Sequence, residues 1–231
     1  IWRDVEGVLA LSPRWTLPAR NLSNLSYTEA AELALFSQPM LHPSAVEPLR
    51  EPGIPMNLRP LHNPEDDGTI IGPSIRLESP TVRAVGCLPR QVEISWSLSS
   101  AISLTECVTD AMSALTRARI RVSSIRAQPG HVRLLISSRM AARARRILAE
   151  KPSLPTPVMG DSVSILCFVG EGIGEDEDVW DIITSHAFSE GIDLQFSDQE
   201  SRNHAIHAVV PANQTERALQ KLCSALDLLS Q

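Results

Sequence analysis

The chain has 231 residues, of which 43% are hydrophobic and 21% charged with both signs present. That composition supplies enough apolar surface for one or two cores and excludes a disordered polymer. No run approaches the roughly 18 to 20 consecutive apolar residues of a membrane span and no secretory leader is recognisable, so no membrane association and a cytoplasmic location are expected. The chain opens at Ile1 rather than a methionine and reads as a piece of a longer polypeptide.

Residues 1–72 read as one unit. Ser26, Tyr27, Thr28 and Glu29 form a capping box: the serine can accept the N–H three residues on while Glu29 reaches back. Ala30, Leu33, Ala34 and Leu35 follow at helical spacing, so a helix is predicted from Tyr27 and is limited by Pro39 and by His42-Pro43. A second short helix fits 44–50 and a strand fits 54–58. His42, between Leu41 and Pro43 at an element end, reads as a hydrogen-bonded structural histidine. Residues 73–90, rich in proline, read as a linker.

From Gln91 the pattern becomes regular. Alternating Val92, Ile94 and Trp96 predict a strand, 104–118 a helix, 120–125 and 132–136 two strands, and 139–150 a helix. About 72 residues later the same order returns: strand 163–169, helix 178–189, strands 192–196 and 205–210, helix 214–229. Ile94 corresponds to Leu166, Trp96 to Phe168, Ile120 to Ile192, Val122 to Leu194 and Leu134 to Ile206. The repeat predicts two small modules over 91–157 and 158–231, each with helices on one face of an antiparallel sheet, behind a unit of mixed α/β and α+β character.

Cys87, Cys107, Cys167 and Cys223 lie far apart and mostly within apolar runs, which argues for packing rather than disulfides or zinc. His131, His186, His204 and His207 show no ligand spacing with neighbouring Cys, Asp or Glu, so no metal is assigned. Asn21, Asn24 and Asn213 begin glycosylation-like triplets that read as turns and caps.

The net charge of −6 conceals a split: nine arginines and no acid between Arg117 and Arg146, eleven acids and no lysine or arginine between Asp161 and Glu200. Arg139, Arg143 and Arg146 share one helix stripe and Arg119 and Arg121 one strand face. Complementary patches favour docking of the first module on the second, within a chain or across a dimer. With aromatic content of 4% and an acidic neighbour, the arginines do not predict nucleic-acid binding.

The run Ile1-Trp2-Arg3-Asp4-Val5-Glu6-Gly7-Val8 through Ser12-Pro13-Arg14 resembles the aspartate kinase segment Ile-Trp-Thr-Asp-Val-x-Gly-Val-Tyr-Thr-x-Asp-Pro-Arg. Leu25 to Ala30, Leu41-His42-Pro43, Glu47-Pro48, Ile54-Pro55, Asn63-Pro64 and Gly68-Thr69-Ile70-Ile71-Gly72 follow in that family's order, with the spacing of the bifunctional aspartate kinase/homoserine dehydrogenases. The resemblance implies the C-terminal part of an amino-acid-kinase-like domain followed by two ferredoxin-like ACT modules. It implies a parent that phosphorylates L-aspartate with ATP and Mg on the way to lysine, threonine and methionine. An alternative is a non-catalytic regulatory or assembly protein with a degenerate nucleotide site.

By resemblance Asp4 and Arg14 keep nucleotide-binding positions, whereas Arg3, Leu9 and Pro39 replace the family's Thr, Tyr and Lys. Phosphoryl transfer relies on fixed cations around the phosphates, so the loss of that lysine predicts a chain that is inactive alone and holds no cofactor tightly. No residue here is assigned a catalytic role. The same resemblance assigns effector contacts to Gly170, Gly172, Gln199 and Ser201, an amino-acid effector such as lysine or threonine, and homo-oligomerisation through the ACT modules. Two features work against effector binding: Ser103 and Glu106 form a capping box over the first module's loop, and Glu175, Asp176, Glu177 and Asp178 crowd the second.

Overall fold

The computed structural model describes residues 1–3, 7–36, 43–63, 65–73, 81–99, 102–196 and 203–230. Its helices are α1 (Tyr27–Phe36), α2 (Pro43–Arg50), α3 (Leu104–Arg117), α4 (Ser138–Ala149), α5 (Glu177–Ser189) and α6 (Thr215–Ala225). The strands are β1 (Trp2–Arg3), β2 (Val8–Leu9), β3 (Asn21–Leu22), β4 (Asn24–Ser26), β5 (Met56–Pro60), β6 (Thr69–Gly72), β7 (Ala84–Ser97), β8 (Val122–Gln128), β9 (His131–Ser137), β10 (Val158–Val169), β11 (Gln195–Phe196) and β12 (Ala205–Pro211). Among the described residues no helix is long and apolar enough to cross a membrane.

The chain divides into two compact units that ignore chain order. One comprises 1–88, 165–210 and 214–231; the other comprises 89–164 and 211–213.

In the first unit a mixed sheet runs in the order β1-β5-β6-β4, with β5 and β6 antiparallel and the outer pairs parallel. Met56, Leu58 and Pro60 alternate inward along β5, as the period of a half-buried strand requires. Thr69 ties β6 to the separate antiparallel pair β2-β3: its Oγ1 donates to the Leu22 carbonyl at 2.6 Å and accepts the Val8 N–H at 2.8 Å, and the residue is fully buried. Helix α1 begins at Tyr27 because the capping box closes in both directions, with Glu29 N–H donating to Ser26 Oγ at 3.1 Å and Ser26 N–H to Glu29 Oε2 at 2.8 Å.

The same unit holds the strand order β11-β12-β10-β7, covered by α5 and α6. Leu25, Leu58 and Ile71 from the first segment share one hydrophobic cluster with Phe168, Ile183, Ile206 and Leu222. Near its end the chain returns to residues 18–20, where Arg20 N–H donates to Leu228 O at 3.0 Å and Ser230 N–H to Pro18 O at 2.6 Å. Apolar area removed from water therefore joins the N-terminal segment and the second repeat into one core.

The second unit holds β9 and β8 with residues 158–164 of β10 and 89–97 of β7, Ile94 opposite Leu134 and Trp96 opposite Val132, and α3 and α4 supply Leu115, Ala144 and Leu148 to its core. Arg139, Arg143 and Arg146 are exposed on α4 while Ala141, Ala144 and Leu148 face inward, so the arginine stripe lies on the helix face away from the core.

The repeat is carried into burial: Ile94 and Leu166 are both fully buried, and Trp96 and Phe168 are among the largest fully buried side chains. It extends to the helix ends. After α3, Arg119 takes φ +56° and Ile120 N–H bonds back to Leu115 O; after α5, Gly191 takes φ +62° and Ile192 N–H bonds back to Ala187 O. These are Schellman caps, and they explain why β8 and β11 start later than the alternation predicts: Ile120 and Ile192 close helices before either strand begins. Conversely, β7 already starts at Ala84, inside the stretch expected as linker, because Val85 N–H pairs with Ala10 O at 2.7 Å.

Candidate functional site

The Gly170 loop leaves the end of β10 and turns into α5. Gly170 N–H donates to the His204 carbonyl at 3.1 Å. A Cβ at Gly170 would lie 2.1 Å from the Thr81 carbonyl oxygen, so the close approach of two backbones requires glycine here. Gly172 takes φ +79°, and Asp176 Oδ1 caps α5 by accepting the Val179 N–H at 2.9 Å. Trp180 Nε1 donates to Gly174 O at 2.9 Å and its ring meets Phe196 edge-on at 4.7 Å, which fixes the loop from beneath.

Two acids of α1 reach this region. Glu29 is fully buried, with Arg83 Nη1 at 3.3 Å, while Arg83 Nη2 donates to Asn24 Oδ1 at 2.7 Å and to the Asn24 carbonyl. Burial pushes the Glu29 carboxyl above its ordinary range and outweighs the opposing pull of the Ser26 N–H, Arg83 and the Glu171 N–H. Glu29 thus places a carboxyl of the chain's own near Glu171 in the loop that follows β10.

One turn on, the Glu32 side chain is 5% exposed. Its Oε1 lies 3.7 Å from His204 Nε2 and its Oε2 lies 3.5 Å from His207 Nε2. Cys167, fully buried on β10, completes a group with Glu32 and His207 whose ligand atoms all lie within 4.8 Å of one another. The His207 ring packs on Phe36 at 4.8 Å. Ligand spacing along the sequence, by which no metal is expected, does not mark this group. The three side chains come from a helix near the N-terminus and two neighbouring strands far downstream. The available signal was that Glu29 and Glu32 sit i, i+3 on the face that also carries Ala30 and Leu33, where acids need partners.

Of the other expected residues, Arg14 is exposed in a short turn with its guanidinium carbon 5.1 Å from the centre of the Trp15 ring, a cation–π contact. Gly170 and Gly172 fall in the loop above. Asp4, Pro39, His42, Gln199 and Ser201 lie outside the described residues, and Leu9 sits half-buried in β2 opposite Asn21. In the first module Ser103 Oγ accepts the Glu106 N–H at 3.5 Å, so the expected N-cap forms. In the second unit Arg126, Gln128, His131 and Arg133 line a small open cleft of about 130 Å³, where Arg133 Nε also lies 3.5 Å from Glu93.

No protein-family model matches the chain. It is similar along 98% of its length, at 28% identity, to a bifunctional aspartokinase/homoserine dehydrogenase of Haemophilus influenzae, of which it spans 29%. Its fold is that of aspartate kinases and their regulatory domains. The aspartate kinase of Clostridium acetobutylicum superposes with TM-score 0.84 at 20% identity, covering 97% of this chain and 52% of that one. Escherichia coli aspartokinase III, crystallised with aspartate and ADP, superposes with TM-score 0.81 at 22% identity, covering 98% and 52%. The same enzyme with lysine and aspartate gives 0.77 at 21% identity, covering 98% and 51%. The chain spans about half or less of these relatives.

Proposed function

We propose that the chain is the C-terminal kinase segment and paired ACT modules of an aspartate-kinase-type polypeptide and serves as its regulatory body. The observation that supports this best is the shared core of residues 1–72 and the second ACT module. A ligand or partner that shifts the module acts on the kinase segment through packed side chains, as coupling between sites requires. In this reading the parent transfers a phosphoryl group from ATP, with Mg, to the side-chain carboxylate of L-aspartate in a cytoplasmic biosynthetic route. The present chain does not do so alone, because Arg3, Leu9 and Pro39 replace three nucleotide-facing residues of the family pattern and Arg14 rests on Trp15.

The ACT pair assembles the chain into a homo-oligomer and takes an amino acid of the lysine or threonine class at the loop that contains Gly170 and Gly172. Three measurements test this reading. The 231-residue chain with aspartate and Mg-ATP should release no ADP above background. Titration calorimetry should register lysine or threonine but not a neutral bulky amino acid. Light scattering should give a mass above that of one chain. ADP release at enzyme rates would instead return the chain to the catalysts. Absence of any amino-acid heat would leave the runner-up, an assembly protein without effector, which a Glu29 carboxyl already lying near Glu171 of that loop favours.

A further inference from the structure

We propose that Glu32, Cys167 and His207 bind a divalent ion of the zinc class, with His204 completing the set or orienting Glu32. The donor set is one thiol sulfur, one or two imidazole nitrogens and a carboxylate, the mixture that suits a borderline-soft ion and that oxygen-seeking Mg²⁺ or Ca²⁺ does not favour. The spacing agrees. Bonds of about 2.0 to 2.3 Å in a tetrahedron place ligand atoms roughly 3.3 to 3.8 Å apart. Glu32 Oε2 and His207 Nε2 stand at 3.5 Å and Cys167 lies within 4.8 Å of both residues' ligand atoms, while His204 Nε2 stands 3.7 Å from the other carboxylate oxygen, Oε1. Closing the remaining gap takes about 1 Å of side-chain rotation at Glu32 and His207, while Cys167 is held by its strand.

The surroundings fit as well. Cys167 is fully buried and Glu32 nearly so, which excludes bulk water, while the histidine side chains are 22% and 23% exposed and leave an entry path at the edge. The Phe36 ring against His207 gives the imidazole a fixed apolar backing. Binding converts the Cys167 thiol to a thiolate and releases its proton to solvent, so affinity rises with pH. The ion would tie α1 to β10 and β12, the same elements that share the first unit's core, and so would stabilise the docking of the N-terminal segment on the second ACT module.

The test uses the whole 231-residue chain, stripped with a chelator and titrated with Co²⁺ and then Zn²⁺. One equivalent of Co²⁺ should produce the visible bands of a tetrahedral site and a near-ultraviolet thiolate-to-cobalt band, and Zn²⁺ should displace it. C167A should lose the thiolate band, H207Q should weaken binding by at least about tenfold, and H204Q by about ten- to a hundredfold as a completing or orienting residue. At the same Zn²⁺ concentration the ion should raise Tm in the wild type by more than in H207Q, and the Tm of metal-free H207Q measured alongside separates this from a folding defect. Two results overturn the proposal. One is a wild-type chain with no thiolate band and no Tm response; these atoms then form only a carboxylate and imidazole pair. The other is a band that survives in C167A, which assigns the sulfur to a different cysteine.

Discussion

Arg83 holds Glu29 across 54 residues of sequence, its Nη1 at 3.3 Å from the carboxylate of a side chain with no solvent exposure while the Arg83 side chain is only 13% exposed. Removing one member of such a pair leaves an uncompensated buried charge, a far larger effect than loss of a surface salt bridge. R83A should therefore cost about 3 kcal/mol in urea unfolding, the low end for a broken buried pair because protonation of Glu29 relieves part of the penalty. The R83A/E29Q double variant should recover some of that loss. Strict additivity of the two substitutions would show that the residues do not interact.

Glu29 also sets a pH signature. Its folded pKa is raised above the ordinary 4.5, mainly by burial, so the stability it contributes is fully present below that value and is lost as pH rises through the elevated one. E29Q carries no such proton. Between about pH 4 and about pH 7 the difference in unfolding free energy should move in favour of E29Q relative to wild type. A difference that stays flat or moves the other way contradicts the assigned direction.

Gly170 and Gly191 should respond very differently to alanine. At Gly170 the new Cβ meets a backbone oxygen at 2.1 Å and Ile173 Cγ2 at 3.0 Å, so the Thr81 segment must shift and the cost should be about 3 kcal/mol. At Gly191 nothing lies within 4 Å, and only the left-handed φ of +62° opposes the substitution, at about 1 to 2 kcal/mol. Thermal unfolding of G170A and G191A side by side ranks them.

Burial pushes the Cys87 and Cys223 thiols up to about 12 from an ordinary value near 9.0. Both should remain protonated and unreactive towards a disulfide reagent in the native state at neutral pH, reacting only at the unfolding rate. The sign of linkage is that of a raised group: their contribution holds below the ordinary thiol value and is lost as pH climbs towards about 12. Fast labelling of Cys87 in folded protein would contradict the buried placement.

Trp96 and Phe168, 72 positions apart, fill equivalent places in separate cores. Truncation of either to alanine should cost about 3 to 5 kcal/mol. Proteolysis should then map the damage of W96A to 89–164 and that of F168A to the other unit, including its N-terminal segment.

Much of the local structure was legible. Ser26 and Glu29 announced the start of α1, Ser103 the start of α3, and the alternation around Ile94 and Leu166 announced paired strands, because caps and periodicity depend on residues within one or two turns. Ile120 and Ile192 misplaced two strand starts for an equally local reason: an apolar residue one position beyond a left-handed cap mimics the first residue of a strand.

The sequence by itself determined the helices and the paired strands of the βαββα repeat, apart from the strand starts at Ile120 and Ile192, and the resemblance to aspartate kinases, since each rests on short-range pattern or on motif order; the short strands before residue 54 left no such pattern. Tertiary structure alone decided which segments share a core and which side chains the buried acids meet. Residues 1–88 fold with the second module rather than standing apart. Glu29 finds Arg83, and Glu32 finds Cys167, His204 and His207. The physical reason is that a buried charge imposes no spacing on the chain. It requires only that some partner arrive in space, and the sheet order that places β10 beside β12 supplies it.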